Sequence, residues 1–224
     1  MFGLNLNSNF NNRKDKESFF LDLFQRSENK TSQKLLQGQI KTKEKILLLG
    51  NKIPKNYFVT SGVGQSDITI HAGSYHLALK DAGIHRCNII TYSSILPAIA
   101  TEIEKPNNLV HGSVLETIMA CANAQKGQTV TAGIIVGWLY SKITGKKHGG
   151  LVCEYSGNGT EEEAKNQLQM SLNELHESGL RNYDLRDIEI TTASFIPTKN
   201  FGTAIVALCF VNYVCPAIEI SKIS

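Results

Sequence analysis

Two rhythms of apolar positions run along this chain, and each predicts its own kind of element. Short apolar runs rich in β-branched residues predict strands over 57–60, 109–122, 129–140, 149–155, 188–196 and 202–213. The helical period appears three times. Over 17–37, Phe20, Leu23 and Phe24 lie three and four apart and Leu35 and Leu36 follow. Over 73–82, Tyr75, Ala78, Leu79 and Ala82 form one stripe, and Gly83 supplies the stop. The third helix begins after Thr160, which makes a capping box with Glu163. Ala164, Leu168, Leu172 and Leu175 then run down one face to Gly179. Residues 1–17, with asparagine at 5, 7, 9, 11 and 12, carry no rhythm and read as disordered. Residues 38–52 read as a linker enclosing a short strand at 46–49.

The stretch from Asn88 to Pro97 reads as one apolar strand that runs into the adjacent serines Ser93 and Ser94 and stops at the proline. By composition alone, such a pair is an ordinary strand-end turn. Upstream, Ser61-Gly-Val-Gly-Gln-Ser-Asp67 reads as a tight loop whose glycines serve either positive φ or close backbone approach. It lacks the third glycine of a dinucleotide fingerprint and the Gly-Lys-Ser/Thr of a phosphate-binding loop. Residues 142–147, with Gly145, join two strands as a hairpin, and the two closing strands read as another antiparallel pair. With so few helices to cross between strands, the order favours an α+β fold with mainly antiparallel sheets. One domain over 53–224, preceded by an extension over 1–52, fits the 224 residues.

Composition narrows the chemistry. No apolar run approaches the roughly 20 residues that span a bilayer, and the amino terminus lacks the plan of a secretory signal. Five scattered cysteines without a Cys-x-x-Cys pair argue against a disulfide framework or zinc site, and suit thiols in a reducing cytoplasm. The six histidines show no metal-ligand spacing. The net charge of +3 is uneven: residues 1–52 carry ten Lys/Arg against five Asp/Glu, and the remainder thirteen against fifteen. The main body therefore offers no basic face for nucleic acid. The helix over 17–37 reads as a docking helix; Asp22 and Glu28 interrupt it too much for a membrane-surface role.

Four segments, in order, resemble the pyruvoyl-dependent arginine decarboxylases. They are Ser61-Gly-Val-Gly-Gln-Ser-Asp67; Leu77-Ala-Leu-Lys-Asp-Ala-Gly83 continuing through Asn88-Ile to Ser93-Ser-Ile-Leu-Pro97; His111-Gly-Ser-Val-Leu-Glu-Thr-Ile-Met-Ala120; and Gly149-Gly-Leu-Val-Cys-Glu-Tyr155. The resemblance covers about residues 53–213 and leaves the first fifty without a counterpart. It implies a four-layer αββα sandwich, a trimer or dimer of trimers with sites between subunits, and an amino acid substrate, arginine, decarboxylated to agmatine. It further implies self-cleavage between Ser93 and Ser94 into a β chain (1–93) and an α chain, the latter starting with a covalent pyruvoyl group made from Ser94. That ketone would capture the substrate amine and take up the electrons left by departing CO₂.

By the same resemblance, Asn88 assists processing, Glu154 protonates the product carbon, and Ile95 lines the pocket. A glutamate within Leu151-Val-Cys-Glu-Tyr155 is expected to be buried enough to stay protonated. One position departs from the family pattern: where its aspartate helps to hold the substrate guanidinium, this chain has His76. A carboxylate pairs with guanidinium through charge-assisted bonds, and an imidazole does not. Either Asp67, Asp81 or a carboxylate of another subunit compensates, or the pocket takes another amino acid such as histidine. A different class of reading is an unprocessed, non-catalytic oligomer whose leader helix binds a partner.

Overall fold

The computed structural model describes residues 46–220; the expectations for 1–17 and for the helix over 17–37 lie outside them. The chain runs through β1 (Ile46–Leu49), β2 (Ile53–Ser66), a π-helical turn (Ile70–Tyr75) continuing as α1 (His76–Asp81), β3 (Asn88–Thr91), β4 (Ile95–Pro97) and β5 (Thr101–Glu102). It continues through β6 (Val114–Gln125), β7 (Val130–Ser141), β8 (Lys147–Gly157), α2 (Glu161–Gly179), β9 (Tyr183–Phe195), β10 (Phe201–Val214) and β11 (Ala217–Ile220). One sheet has the order β3-β6-β10-β2-β5 and a second the order β4-β8-β7-β9, while β1 pairs with β11. The two larger sheets are antiparallel except for the β2–β5 and β3–β6 pairs. The fold is α+β, with strands dominant, as the apolar rhythm indicates.

Alternation along the two central strands explains how the core is divided. Ala204, Val206, Leu208 and Phe210 of β10 join Ile134, Val136 and Trp138 of β7 in one buried cluster that draws on both sheets. The intervening Ile205, Ala207 and Cys209 face the other way, onto Ala78 and Leu79 of α1 and its cap Ala82. Likewise Ile135 and Leu139 of β7 pack with Leu168 and Leu172 of α2. The capping box holds α2 at its start: Thr160 Oγ1 accepts from Glu163 N at 3.3 Å, and Thr160 N donates to Glu163 Oε2 at 2.7 Å. Gly179 is the last helical residue, with Leu180 capping it. The 142–147 hairpin joins β7 to β8, with Gly145 at φ +66°.

Four expectations are corrected. Ser61–Asp67 is no loop: β2 continues to Ser66, paired with β10 throughout. Neither Gly62 nor Gly64 has positive φ; their need is close approach. A Cβ on Gly62 would run into the Ala78 carbonyl, and one on Gly64 into the Ser74 carbonyl and the Ala78 amide, because α1 lies directly on the strand. The closing strands do not pair with each other, since β9 lies beside β7 and β10 between β6 and β2; Pro197, between them, cannot donate to a ladder. Finally, Asn88–Pro97 is two strands in two sheets, β3 beside β6 and β4 beside β8. The 109–122 strand starts only at Val114, after a turn with Gly112 at φ +80°.

The backbone-on-backbone contact at Gly64 makes a direct test. Gly64→Ala should cost about 1–3 kcal/mol of stability, as overpacking does. A thermal melt of the variant unchanged from the parent would contradict this packing.

Candidate active site at the sheet crossing

Tyr92, Ser93 and Ser94 carry the chain from the edge of one sheet to the edge of the other. Backbone hydrogen bonds fix both banks of the crossing. Tyr92 N donates to Thr117 O at 2.6 Å, and on the far side Val152 N donates to Ser94 O at 3.0 Å. Ile95 then pairs with Leu151 and Pro97 with Gly149. Within the crossing, Ile95 N donates to Ser93 O at 3.1 Å, closing a tight turn centred on Ser94. The carbonyl of Ser93 therefore has an N–H donor on its oxygen, with the Ser94 hydroxyl on the next residue.

Strand alternation brings the carboxylate to this turn. Glu154 lies two residues beyond Val152 and so shares its face of β8. Ser94 Oγ donates to both carboxylate oxygens, at 3.0 Å to Oε1 and 3.1 Å to Oε2. In the single chain Glu154 opens to solvent, yet enough protein packs around it that desolvation raises its pKa, against the lowering effect of the Ser94 hydroxyl. The carboxyl is displaced in the direction a proton donor needs.

Of the remaining sequence-derived positions, Ile95 adjoins this pair, while Asn88 and His76 make no hydrogen bond to it. Asn88 pairs with Val114 in β3, and its Nδ2 donates to Gly112 O at 2.9 Å, anchoring the turn before β6. His76, at the start of α1, is exposed and stands edge-on to His85, with ring centroids 5.9 Å apart. Desolvation, with Arg86, His76, Lys80 and His111 adding to it, lowers the pKa of His85. Of the proposed carboxylates, Asp81 accepts from Val63 N at 2.9 Å and Asp67 from Asn200 N at 3.2 Å. Ile95 is 65% exposed beside Ser94. Sequence reasoning gave no role to Glu116, buried on β6, which the structure pairs with Lys52. A carboxylate in the otherwise apolar run 114–122 was the available signal. Among the described residues, no group of three or more His, Cys, Asp or Glu side chains could hold a metal ion, and no helix is long and apolar enough to cross a membrane.

A family model described as pyruvoyl-dependent arginine decarboxylase matches residues 56–215, which include the whole crossing and β8. The chain belongs to that family. Among relatives of the pyruvoyl-dependent arginine decarboxylase family, the chain is similar to a pyruvoyl-dependent arginine decarboxylase of Methanopyrus kandleri. The two are 31% identical over 159 residues, 70% of this chain and 97% of the relative. It is similar also to a pyruvoyl-dependent arginine decarboxylase 2 of Archaeoglobus fulgidus (31% over 166 residues, 71% and 98%) and to a pyruvoyl-dependent arginine decarboxylase of Thermococcus kodakarensis (28% over 156 residues, 69% and 93%).

Because the Ser94 hydroxyl is the larger of the two influences that hold the Glu154 carboxyl down, removing it should leave desolvation less opposed. Relative to the uncleaved chain, Ser94→Ala is expected to raise the Glu154 pKa further, measured by carbon-13 NMR of the labelled side-chain carboxyl. A pKa that falls or stays put would contradict the hydrogen bond.

Proposed function

We propose that this chain is a self-processing, pyruvoyl-dependent amino acid decarboxylase that converts arginine to agmatine and CO₂. The observation that carries the reading is the Ser94 hydroxyl held between the Glu154 carboxylate and the Ser93–Ser94 peptide, inside a chain of this family. Residues 53–224 form the decarboxylase domain, with 1–52 as its extension, and the chain is cut between 93 and 94. Ser94 Oγ attacks the Ser93 carbonyl carbon, and the acyl group moves from nitrogen to oxygen, giving an ester and a free amine on residue 94. Loss of the Cα proton and cleavage of the Cβ–O bond release the Ser93 carboxylate and leave dehydroalanine. Its imine tautomer takes up water and loses ammonia, which leaves a pyruvoyl group at position 94.

The residues present fit that group. Val152 N, already on the Ser94 carbonyl, would hold the amide next to the ketone, and Glu154 would face the ketone itself. Once formed, the pyruvoyl group supplies an electron sink for decarboxylation. During cleavage, Ile95 N–H is placed to hold the developing oxyanion on Ser93, and Asn88 assists by fixing the Gly112 turn. In turnover Glu154 delivers the proton to the carbon that has lost CO₂, a general-acid role worth about 10²–10⁴ in rate. Its raised pKa keeps a larger protonated fraction near neutrality than an ordinary glutamate has.

A four-layer αββα arrangement and an assembly of three or more copies complete the reading. Supporting the layers are three separate buried clusters: one uniting the sheets, and one beneath each of α1 and α2. Supporting the assembly are apolar side chains left exposed around the crossing, Ile90, Ile95, Ile99 and Val114 among them. In such an assembly, Ile95 and His76 line a pocket completed by a neighbour. The five unpaired cysteines suit a reducing compartment such as the cytoplasm. A second reading, decarboxylation of an amino acid without a cationic side chain, is favoured by the His76–His85 pair and the cations Lys80 and Arg86 near it.

Denaturing mass measurement of freshly purified protein should give two polypeptides divided at Ser93–Ser94, and Ser94→Ala should give one intact chain of 24.7 kDa. An intact parent chain with both hydroxyls present would end the enzymatic reading. For the substrate, His76→Asp restores a carboxylate able to form a charge-assisted bond of roughly 1.5–3 kcal/mol. It should raise kcat/KM for arginine by about tenfold or more. No gain for arginine would remove position 76 from the pocket.

A further inference from the structure

Directly beside the crossing lies a polar cluster that the chemistry above does not use. Glu116 shares its face of β6 with Ile118 and Ala120, which enter the core common to both sheets. It is only 8% exposed, and its Oε2 is buried without a hydrogen-bond partner. Oε1 is ion-paired with the ammonium of Lys52, which also stands 4.6 Å above the ring of Tyr213. Tyr92 and Tyr213 act electrostatically on the same carboxylate, although neither closes a hydrogen bond on Oε1 or Oε2, and Oε1 is taken by Lys52. Burial pushes the Glu116 carboxyl up most strongly of any single influence. Lys52, Tyr213 and Tyr92 together outweigh it and hold the carboxyl below its ordinary range. The rings continue the contact, with Tyr92 5.7 Å from Phe210, and Phe210 6.4 Å from Tyr213.

A buried carboxylate is costly to keep, and it persists where its geometry is put to use or its partners are exacting. Here its ion-pair partner is a lysine that precedes β2, and the residue immediately before Ser93 bonds the neighbouring Thr117 carbonyl and joins that lysine through the Phe210 and Tyr213 rings. We propose that Glu116, clamped by Lys52, is a positioning residue for self-cleavage: it fixes Tyr92 from the side-chain end while Thr117 O fixes it from the backbone, and so aims the Ser93 carbonyl at the Ser94 hydroxyl. The inference rests on the self-cleavage reading above. It also assigns a task to Lys52, which lies outside the proposed decarboxylase domain. Because Lys52 and Tyr92 precede the cut while Glu116 and Tyr213 follow it, the same cluster ties the two products together at the break.

Cleavage of the full-length chain, followed by denaturing mass spectrometry at intervals after cell-free synthesis, tests this. Glu116→Gln and Lys52→Met should each slow cleavage on the order of 10²-fold, the cost of a small misplacement of reacting groups. Tyr92→Phe, which keeps every apolar contact, should slow it by up to about tenfold. The double variant Lys52→Met/Glu116→Gln should be no slower than the worse single one, since both break one device. Once matured, the Glu116→Gln protein should show the parent's kcat and KM. A parent chain that never cleaves defeats the self-cleavage reading, and this inference with it. A parent that cleaves, with folded variants cleaving at the same rate, overturns this inference alone. Slowing that merely follows a lower melting temperature, with Tyr92→Phe cleaving normally, also overturns it.

Discussion

The hydrogen bond from Val152 N–H to the Ser94 carbonyl is the constraint on which the site depends. It anchors the far bank of a crossing only three residues long, and Tyr92 N–H on Thr117 O anchors the near bank. A connector so short between two sheet edges has few conformations open to it. The tight turn at Ser94 follows from that span, and so does the placement of its hydroxyl over β8. Glu154 reaches the hydroxyl because it is two residues from Val152, one full period of the strand. The serine–carboxylate contact is thus a consequence of sheet register, with no loop recruited to make it.

Electrostatics then separates the two glutamates of the region. Glu154 opens outward, meets a neutral hydroxyl and has its carboxyl raised by desolvation. Glu116 is more deeply buried, yet an ammonium and two phenols bring it below its ordinary value. One is thereby suited to hold a proton, and the other to remain an anion that organises its neighbours. Burial alone would have assigned them the opposite way round.

Much of this was legible in the residues. The capping box at Thr160, the glycine after α1 and the 142–147 hairpin are local, and local chemistry decides them. Sheet membership is not local. Nothing in Asn88–Pro97 states that its first half joins β6 and its second half β8, because β propensity is the same in either sheet. The glycines of Ser61–Ser66 suggested a loop, whereas the helix that demands their small size lies a dozen residues further on. Ser94 and Glu154 emerged through ordered motifs sixty residues apart, and their contact could not be read from either alone. Glu116 was visible as an oddity in an apolar strand, but its partners come from three other parts of the chain.

The crossing also determines what a broken backbone would cost. Residues 92–94 belong to no ladder: β2 and β3 lie wholly ahead of them, and β4 to β10 wholly behind. A nick there would sever a connector and leave every paired strand whole, with β2 and β3 still stitched into their sheet by β10 and β6. Two polypeptides would then behave as one cooperative body. Each freed end would stay tethered by its ladder to a strand distant in sequence, β3 to β6 and β4 to β8.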